Sequence, residues 1–298
     1  MTTRVIELAR NGNTVITKKY GMTREEFERD HLRAFVPVVI GDATAAWPAR
    51  RTFTPELFRG RFGDREVTVG EQKYKLRALL DLLAESSPER PAPYPCNFDL
   101  DVLFPELVAD VEPRYTYALP DRTNHRLLPR RFLGGAATFE IFFGGPGGKF
   151  PYMHYDYMGF HAFINELVGR KEFTAIPPHQ TECVYPDPAN PWKSRIENHH
   201  APDLGKYPLY AKAEPVTFTI EPGETLFIPN GWWHTARSLE LTISVAFDML
   251  EHTNWERFRA EVWTMMKNAR SAKRLAADVY LRTLGVVLSL EERVRARA

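Results

Sequence analysis

Residues Pro222 to His234 read Pro-Gly-Glu-Thr-Leu-Phe-Ile-Pro-Asn-Gly-Trp-Trp-His. A Pro-Gly turn opens a short β-rich run, Glu224 to Ile228, and Pro229-Asn230 closes it before His234 starts a later strand. Runs of the same kind recur on both sides, at Ala137 to Phe143, Phe160 to Leu167, Lys171 to Ile176, Pro215 to Ile220 and Leu241 to Phe247. Turns rich in Gly and Pro, Gly144 to Gly148 and Glu221 to Gly223, separate some of them. Close spacing of this kind favours a sandwich or jelly roll over a parallel sheet with crossover helices. Residues 131–250 therefore read as a mainly β core.

Two other zones flank that core. Residues 1–130 mix helix-like pieces, Thr23 to Phe27 and Thr54 to Phe58, with strand candidates at Phe35 to Ile40 and Glu66 to Val69, and read as α/β decoration packed on it. Residues 251–298 read as a C-terminal helical extension. Thr253 and Glu256 have capping-box spacing, and Trp255, Phe258, Val262, Met265 and Met266 mark one helical face. A break is expected at Gly285, after which a second capping box, Ser289 with Glu292, opens a last short helix. An apolar stripe this rich packs back on the sheet or meets its twin in a homodimer.

The composition sets outer bounds. With 298 residues, 44% of them hydrophobic, the chain can bury a sizeable core without metal or disulfide staples. Lys and Arg total 39 against 38 Asp and Glu, a formal charge of +1, so no whole-molecule field exists to grip a phosphate backbone, and no nucleic acid partner is expected. Two isolated cysteines, Cys96 and Cys183, suggest neither a disulfide framework nor a thiolate zinc site, and fit a reducing cytoplasm. The first residues lack the apolar region of a signal peptide. No window approaches the roughly 18 uninterrupted apolar residues of a membrane span, so secretion and membrane insertion are disfavoured.

The chemistry concentrates in Pro151-Tyr152-Met153-His154-Tyr155-Asp156 together with His234. Two imidazoles and a carboxylate are the donors of the facial triad that holds Fe(II) and leaves positions open for substrate and oxygen. In a strand or its frayed end, positions i and i+2 point the same way, so His154 and Asp156 can aim at one ion while Tyr155 faces elsewhere. This is the only H-x-D or H-x-E among nine histidines, and it lies in the β-rich zone. Spacing alone leaves a second reading open: a His and an Asp near a turn, plus a core histidine bonded to a backbone carbonyl.

Further runs join these residues: Leu167-Val168-Gly169-Arg170-Lys171 leading to Ile176-Pro177-Pro178, then the stretch from Pro222 to His234. Together with Pro37 to Ile40, Ala46-Trp47-Pro48 and Phe62-Gly63-Asp64 upstream, the chain to about residue 250 resembles the JmjC and cupin-like 2-oxoglutarate oxygenases, in the style of the factor-inhibiting-HIF-type hydroxylases. The resemblance implies a double-stranded β-helix, Fe(II) held by His154, Asp156 and His234, and 2-oxoglutarate and O2 as cosubstrates. It implies that a C–H bond of a peptide or protein side chain, or of a small metabolite, is hydroxylated, with succinate and CO2 as coproducts. JmjC-type N-demethylation uses the same machinery. A metal-binding or ligand-binding protein of cupin type without turnover is the rival from another class.

The distal carboxylate of 2-oxoglutarate needs a counter-charge, and Lys171 matches the position that supplies it. A lysine alone rarely satisfies a buried carboxylate; Ser244 and Tyr94 match positions where relatives place hydroxyls for the purpose. Two departures stand out. Pro151 occupies the place of a Thr common in relatives, and Ala246 that of an Asn; His161 and Asn165 are weighed as replacements and not assigned. Phe150, Tyr152, Tyr155, Tyr157, Trp232 and Trp233 crowd the approach, as substrate cleft or as barrel core and rim. The polar loop from Pro186 to Lys212, with Trp192, Lys193 and His199-His200, reads as a lid or a plain surface loop. Gly144 to Lys149 is a turn and not a phosphate loop, since Phe150 replaces the Ser or Thr such a loop requires.

Overall fold

Strands from the β-rich zone, joined by four from the N-terminal portion, build two facing sheets in the computed structural model, which describes residues 3–118, 120–135 and 138–295. In chain order the strands are β1 (Arg4–Asn11), β2 (Thr14–Tyr20), β3 (Val38–Ile40), β4 (Glu66–Val69), β5 (Gln72–Lys75), β6 (Cys96–Asp99) and β7 (Phe139–Gly144). They continue as β8 (His161–Val168), β9 (Lys171–Ile176), β10 (Val216–Ile220), β11 (Thr225–Ile228), β12 (Trp233–Ser238) and β13 (Thr242–Met249). The larger sheet has the order β1-β2-β3-β11-β8-β13-β7-β6, the smaller β10-β9-β12, and β4-β5 is a separate hairpin. Pairing is antiparallel except between β2 and β3. This is the cupin-like, double-stranded β-helix arrangement. Ala137, the expected start of β7, lies outside the described residues.

Strand alternation divides the larger sheet into two faces. On β8, Phe163 and Leu167 point outward and pack with Phe27, Phe58, Phe62, Leu79, Leu80 and Phe104 of the N-terminal portion. Helices α1 (Pro55–Phe62) and α2 (Leu76–Ala84) supply much of that layer. Thr54 caps α1 by accepting from the Leu57 amide, and Pro55 at its first position needs no amide partner. Ile164 of β8 points the other way, to Val39, Leu226 and Ile228, where Phe173, Ala175, Phe218 and Ala236 of the smaller sheet meet it. The functional side chains stand in this inner space.

His161 and Asn165 belong to the outer face and serve structure. Asn165 accepts from Tyr115 and Thr225 at 3.0 and 2.8 Å and donates to the Val245 carbonyl at 2.9 Å. His161 takes the Asn230 amide on Nδ1 and meets Thr253 with Nε2. Neither replaces a missing group in the inner space.

The C-terminal extension departs from expectation twice. Helix α3 (Trp255–Met265) starts after Asn254 without a side-chain cap, because the Thr253 hydroxyl bonds the Glu251 carboxylate instead. Helix α4 (Ser271–Arg295) runs unbroken through Gly285. A Cβ at Gly285 would lie 2.3 Å from Nε1 of Trp255, so the glycine admits an indole and does not end the helix. Ser289 and Glu292 do not cap: Arg122 donates to Ser289 at 3.0 Å and to both Glu292 oxygens at 2.6 and 2.7 Å. No helix among the described residues is long and apolar enough to cross a membrane.

Candidate metal centre

His154 and His234 exchange both backbone hydrogen bonds, 2.9 Å from the His154 amide and 2.6 Å from the His234 amide. This reciprocal antiparallel bridge brings residues far apart in sequence side by side, with ring centroids 4.5 Å apart. Asp156 follows two residues later, where the chain leaves the strand for the turn Tyr157–Gly159. Its Oδ1 lies 3.7 Å from His234 Nε2. One donor atom from each of His154, Asp156 and His234 lies within 4.8 Å of the others, the one such cluster among the described residues.

The surroundings prepare these atoms for a cation. The Trp232 carbonyl lies 3.0 Å from His234 Nδ1, which fixes the proton there and leaves the Nε2 lone pair facing Asp156. Buried Nδ1 of His154 and Oδ2 of Asp156 have no hydrogen-bond partner. Burial pulls the His154 imidazole well below its ordinary value and pushes the Asp156 carboxyl up. A neutral imidazole is a ready ligand, and a desolvated carboxylate without a cation is costly; a divalent ion at the centre of the three relieves both conditions. The donor set fits Fe(II).

Lys171, Ser244 and Tyr94 converge at the far end of the inner space. Lys171 is 2% exposed; its Nζ donates to Ser244 Oγ, and Tyr94 is its other hydroxyl partner. Lys171 stands four residues along β9 from Ala175, which is opposite His234 on β12. That separation is ~13 Å of strand.

Glu166 on β8 was not singled out by sequence. Fully buried, it accepts from Ser244 at 3.0 Å and lies 3.4 Å from Lys171 Nζ. Glu140 and Asp248 are two further acids beside the centre. Glu140 is pushed up to about 7 by burial, over the opposing Asn97 hydrogen bond, with Asp99 and Asp156 adding to the rise. Asp248 is driven well above the carboxylate range by burial and by Asp156, Glu140 and Asp121. Neither has an ion-pair partner among the described residues. Pairing explains their convergence: Ala246, between Ser244 and Asp248, sits opposite Glu140 on β7 and Ile164 on β8.

The aromatic residues divide. Trp233 is fully buried behind the centre, with Tyr155 edge-on to it at 5.0 Å, and Trp232 is held through its indole to the Phe35 carbonyl. Tyr152 and Tyr157 stay at the mouth, 6.1 and 5.9 Å from Trp192 of the long loop. That loop is tied to the segment carrying His154 and Asp156 where the Tyr155 amide bonds the Trp192 carbonyl. Its His199 instead packs against Tyr210, away from the triad.

The chain is 26% identical over 251 residues to lysine-specific demethylase 8 of Xenopus tropicalis, a match covering 80% of this chain and 53% of that protein. It is 25% identical over 241 residues to a bifunctional arginine demethylase and lysyl-hydroxylase of Caenorhabditis elegans, covering 75% and 58%. A shorter match, 34% over 125 residues, links it to tRNA wybutosine-synthesizing protein 5 of Mus musculus, covering 38% of each. The chain spans about half the length of the first two of these relatives. A family model described as a cupin-like domain matches residues 24–249, from the N-terminal layer to the end of β13. Sheet order, the paired histidine strands and this match lead to one assignment: the chain belongs to the cupin-like domain family.

Proposed function

We propose that the protein is an Fe(II)- and 2-oxoglutarate-dependent oxygenase that hydroxylates a C–H bond of a basic side chain in a peptide or protein. The observation that carries this is the reciprocal pairing of His154 with His234, which sets two imidazoles beside the Asp156 carboxylate between the two sheets, where Lys171 is also buried. His154, Asp156 and His234 would hold the iron, and Lys171, Ser244 and Tyr94 the distal carboxylate of 2-oxoglutarate. When bound, iron would activate O2 with two electrons from the keto acid, which would leave as succinate and CO2.

The chain's own residues supply placement. Trp232 fixes the His234 tautomer through its carbonyl, and Trp233 closes the back of the site against water. Glu140 and Asp248 stand near Asp156 without a cation partner, so a protonated amine or guanidinium is the chemistry that suits them. The relatives named for lysine and arginine substrates support that class. The same two acids suit N-methylated basic side chains, for which hydroxylation of the methyl carbon amounts to demethylation. A reducing compartment suits Cys96 and Cys183, both unpaired.

Anaerobic titration of the protein with Fe(II) and then 2-oxoglutarate tests the reading. A weak visible charge-transfer band of the chelate is expected. Iron binding without the band would favour a metal-binding protein that does not turn over. Lys171→Ala is expected to weaken 2-oxoglutarate binding at least tenfold more than iron binding, and equal loss of both would remove Lys171 from its assigned place.

A further inference from the structure

Lys171 already has a partner. Its ammonium faces the Glu166 carboxylate at 3.4 Å, with neither side chain more than 3% exposed. The Ser244 hydroxyl joins them, accepting from Lys171 and donating to Glu166 Oε2. The second oxygen, Glu166 Oε1, is buried with no hydrogen-bond partner. A diacid brought to Lys171, Tyr94 and Ser244 therefore meets another carboxylate at the same cation, in a space where water reaches neither. Two carboxylates sharing one counter-charge at close range do not both stay ionised.

We propose that the distal carboxylate of 2-oxoglutarate enters together with one proton, and that Glu166 takes up that proton on Oε1. This rests on the oxygenase reading above. The balance is simple: a solvent proton converts the Glu166 carboxylate to the acid, no other bond is made or broken, and Lys171 passes from Glu166 to the incoming carboxylate. The new O–H is a donor where a second negative charge would otherwise stand.

The charged and titratable groups around Glu166 are few. Lys171 comes from β9 and Tyr94 from the segment before β6, while β13 offers only the Ser244 hydroxyl and β7 the Phe142 ring. At β11, Glu224 approaches through its backbone carbonyl, and its side chain pairs with Lys18. Burial raises Glu166 to about 7 against the pull of Lys171 and Ser244, so a proton is within reach near neutral pH. Burial opposes the charge on Lys171, but Glu166 and Tyr94 outweigh it and the lysine lies above its usual value. Tyr94 is also raised, chiefly by burial. Neither exchanges a proton in this range.

The test is calorimetric titration of the full-length, Fe(II)-loaded protein with 2-oxoglutarate, without oxygen, in buffers of different ionisation enthalpy. At about pH 8, uptake close to one proton per ligand is expected, with affinity flat below about pH 7 and falling about tenfold per pH unit above it. The monoacid 2-oxobutyrate, which lacks the distal carboxylate, is expected to bind without uptake. Glu166→Gln, which keeps the side-chain shape, is expected to bind 2-oxoglutarate with no uptake and about tenfold more tightly than the parent at about pH 8. Tight binding by the parent without uptake, or uptake that survives in Glu166→Gln, would overturn the role of Glu166 and leave the oxygenase reading standing. Failure of both iron-loaded proteins to bind 2-oxoglutarate at any pH would overturn the two together.

Discussion

Lys171 shows how one buried charge conditions its neighbours. It and Glu166 are both out of water, so removing either partner leaves the other stranded, and such losses cost ~3–5 kcal/mol. Lys171→Met is expected to lower stability by about that amount. The loss should grow with pH: without the lysine, the folded Glu166 carboxyl rises further above its unfolded value, and a raised acid loses stability as pH rises above the unfolded pKa. Urea denaturation at about pH 6 and about pH 8 checks this, and an equal loss at both would show that Glu166 is not the stranded group. At this scale the sequence was legible where chemistry had a signature. His154, Asp156 and His234 could be read as donors from spacing, and Lys171, Ser244 and Tyr94 from likeness to a family; the structure brings each set together. Glu166, Glu140 and Asp248 were not legible. An acid at alternate strand positions reads as solvent-facing polarity, and only the pairing of β8, β13 and β7 reveals that these point inward.

At the scale of elements, short β-rich runs between turns predicted the central strands closely, and Lys171–Ile176 was read with both its ends. The first hairpin, Arg4–Asn11 with Thr14–Tyr20, was missed because apolar and polar residues do not alternate regularly along it: Val5 is exposed, and only Thr14 and Ile16 are buried. Strand β6 was missed because it has four residues after a Pro-rich stretch and gains its place only by pairing with β7. Gly285 misled for a related reason: a glycine that ends a helix and one that admits a neighbour look alike in sequence. The two roles predict opposite effects. At an ordinary interior helix position, Gly→Ala stabilises by ~1 kcal/mol. Here the added methyl meets the Trp255 indole, whose Nε1 donates to the Leu281 carbonyl at 3.1 Å. Gly285→Ala is expected to destabilise by ~1–3 kcal/mol and to loosen α3 from α4, read as a fall in melting temperature with increased Trp255 exposure in fluorescence. A rise in melting temperature would return Gly285 to the role of a breaker.

For the whole molecule, the C-terminal helices answer the choice between packing back and self-association in two parts. Leu281, Leu284 and Leu288 of α4 pack with Trp255, Phe258 and Val262 of α3 and with Leu128, Phe132 and Phe160 of the body. Arg122 clamps the end of α4 through Ser289 and Glu292. The inward stripe is therefore an intramolecular staple. A second stripe remains on the opposite side: Leu275, Val279, Val286, Leu290 and Val294 recur at helical spacing and are each more than half exposed. Arg282 and Thr283 interrupt this stripe between Val279 and Val286, and we propose that a second copy of the chain covers its two apolar halves, α4 against α4 about a two-fold axis. Light scattering after size exclusion is expected to give a dimer mass, and Val286→Glu with Leu290→Glu to give a monomer with unchanged Fe(II) binding, since neither residue is near the triad. A parent protein that stays monomeric at about 100 μM, well above the range in which a stable dimer forms, would leave that face to another occupant.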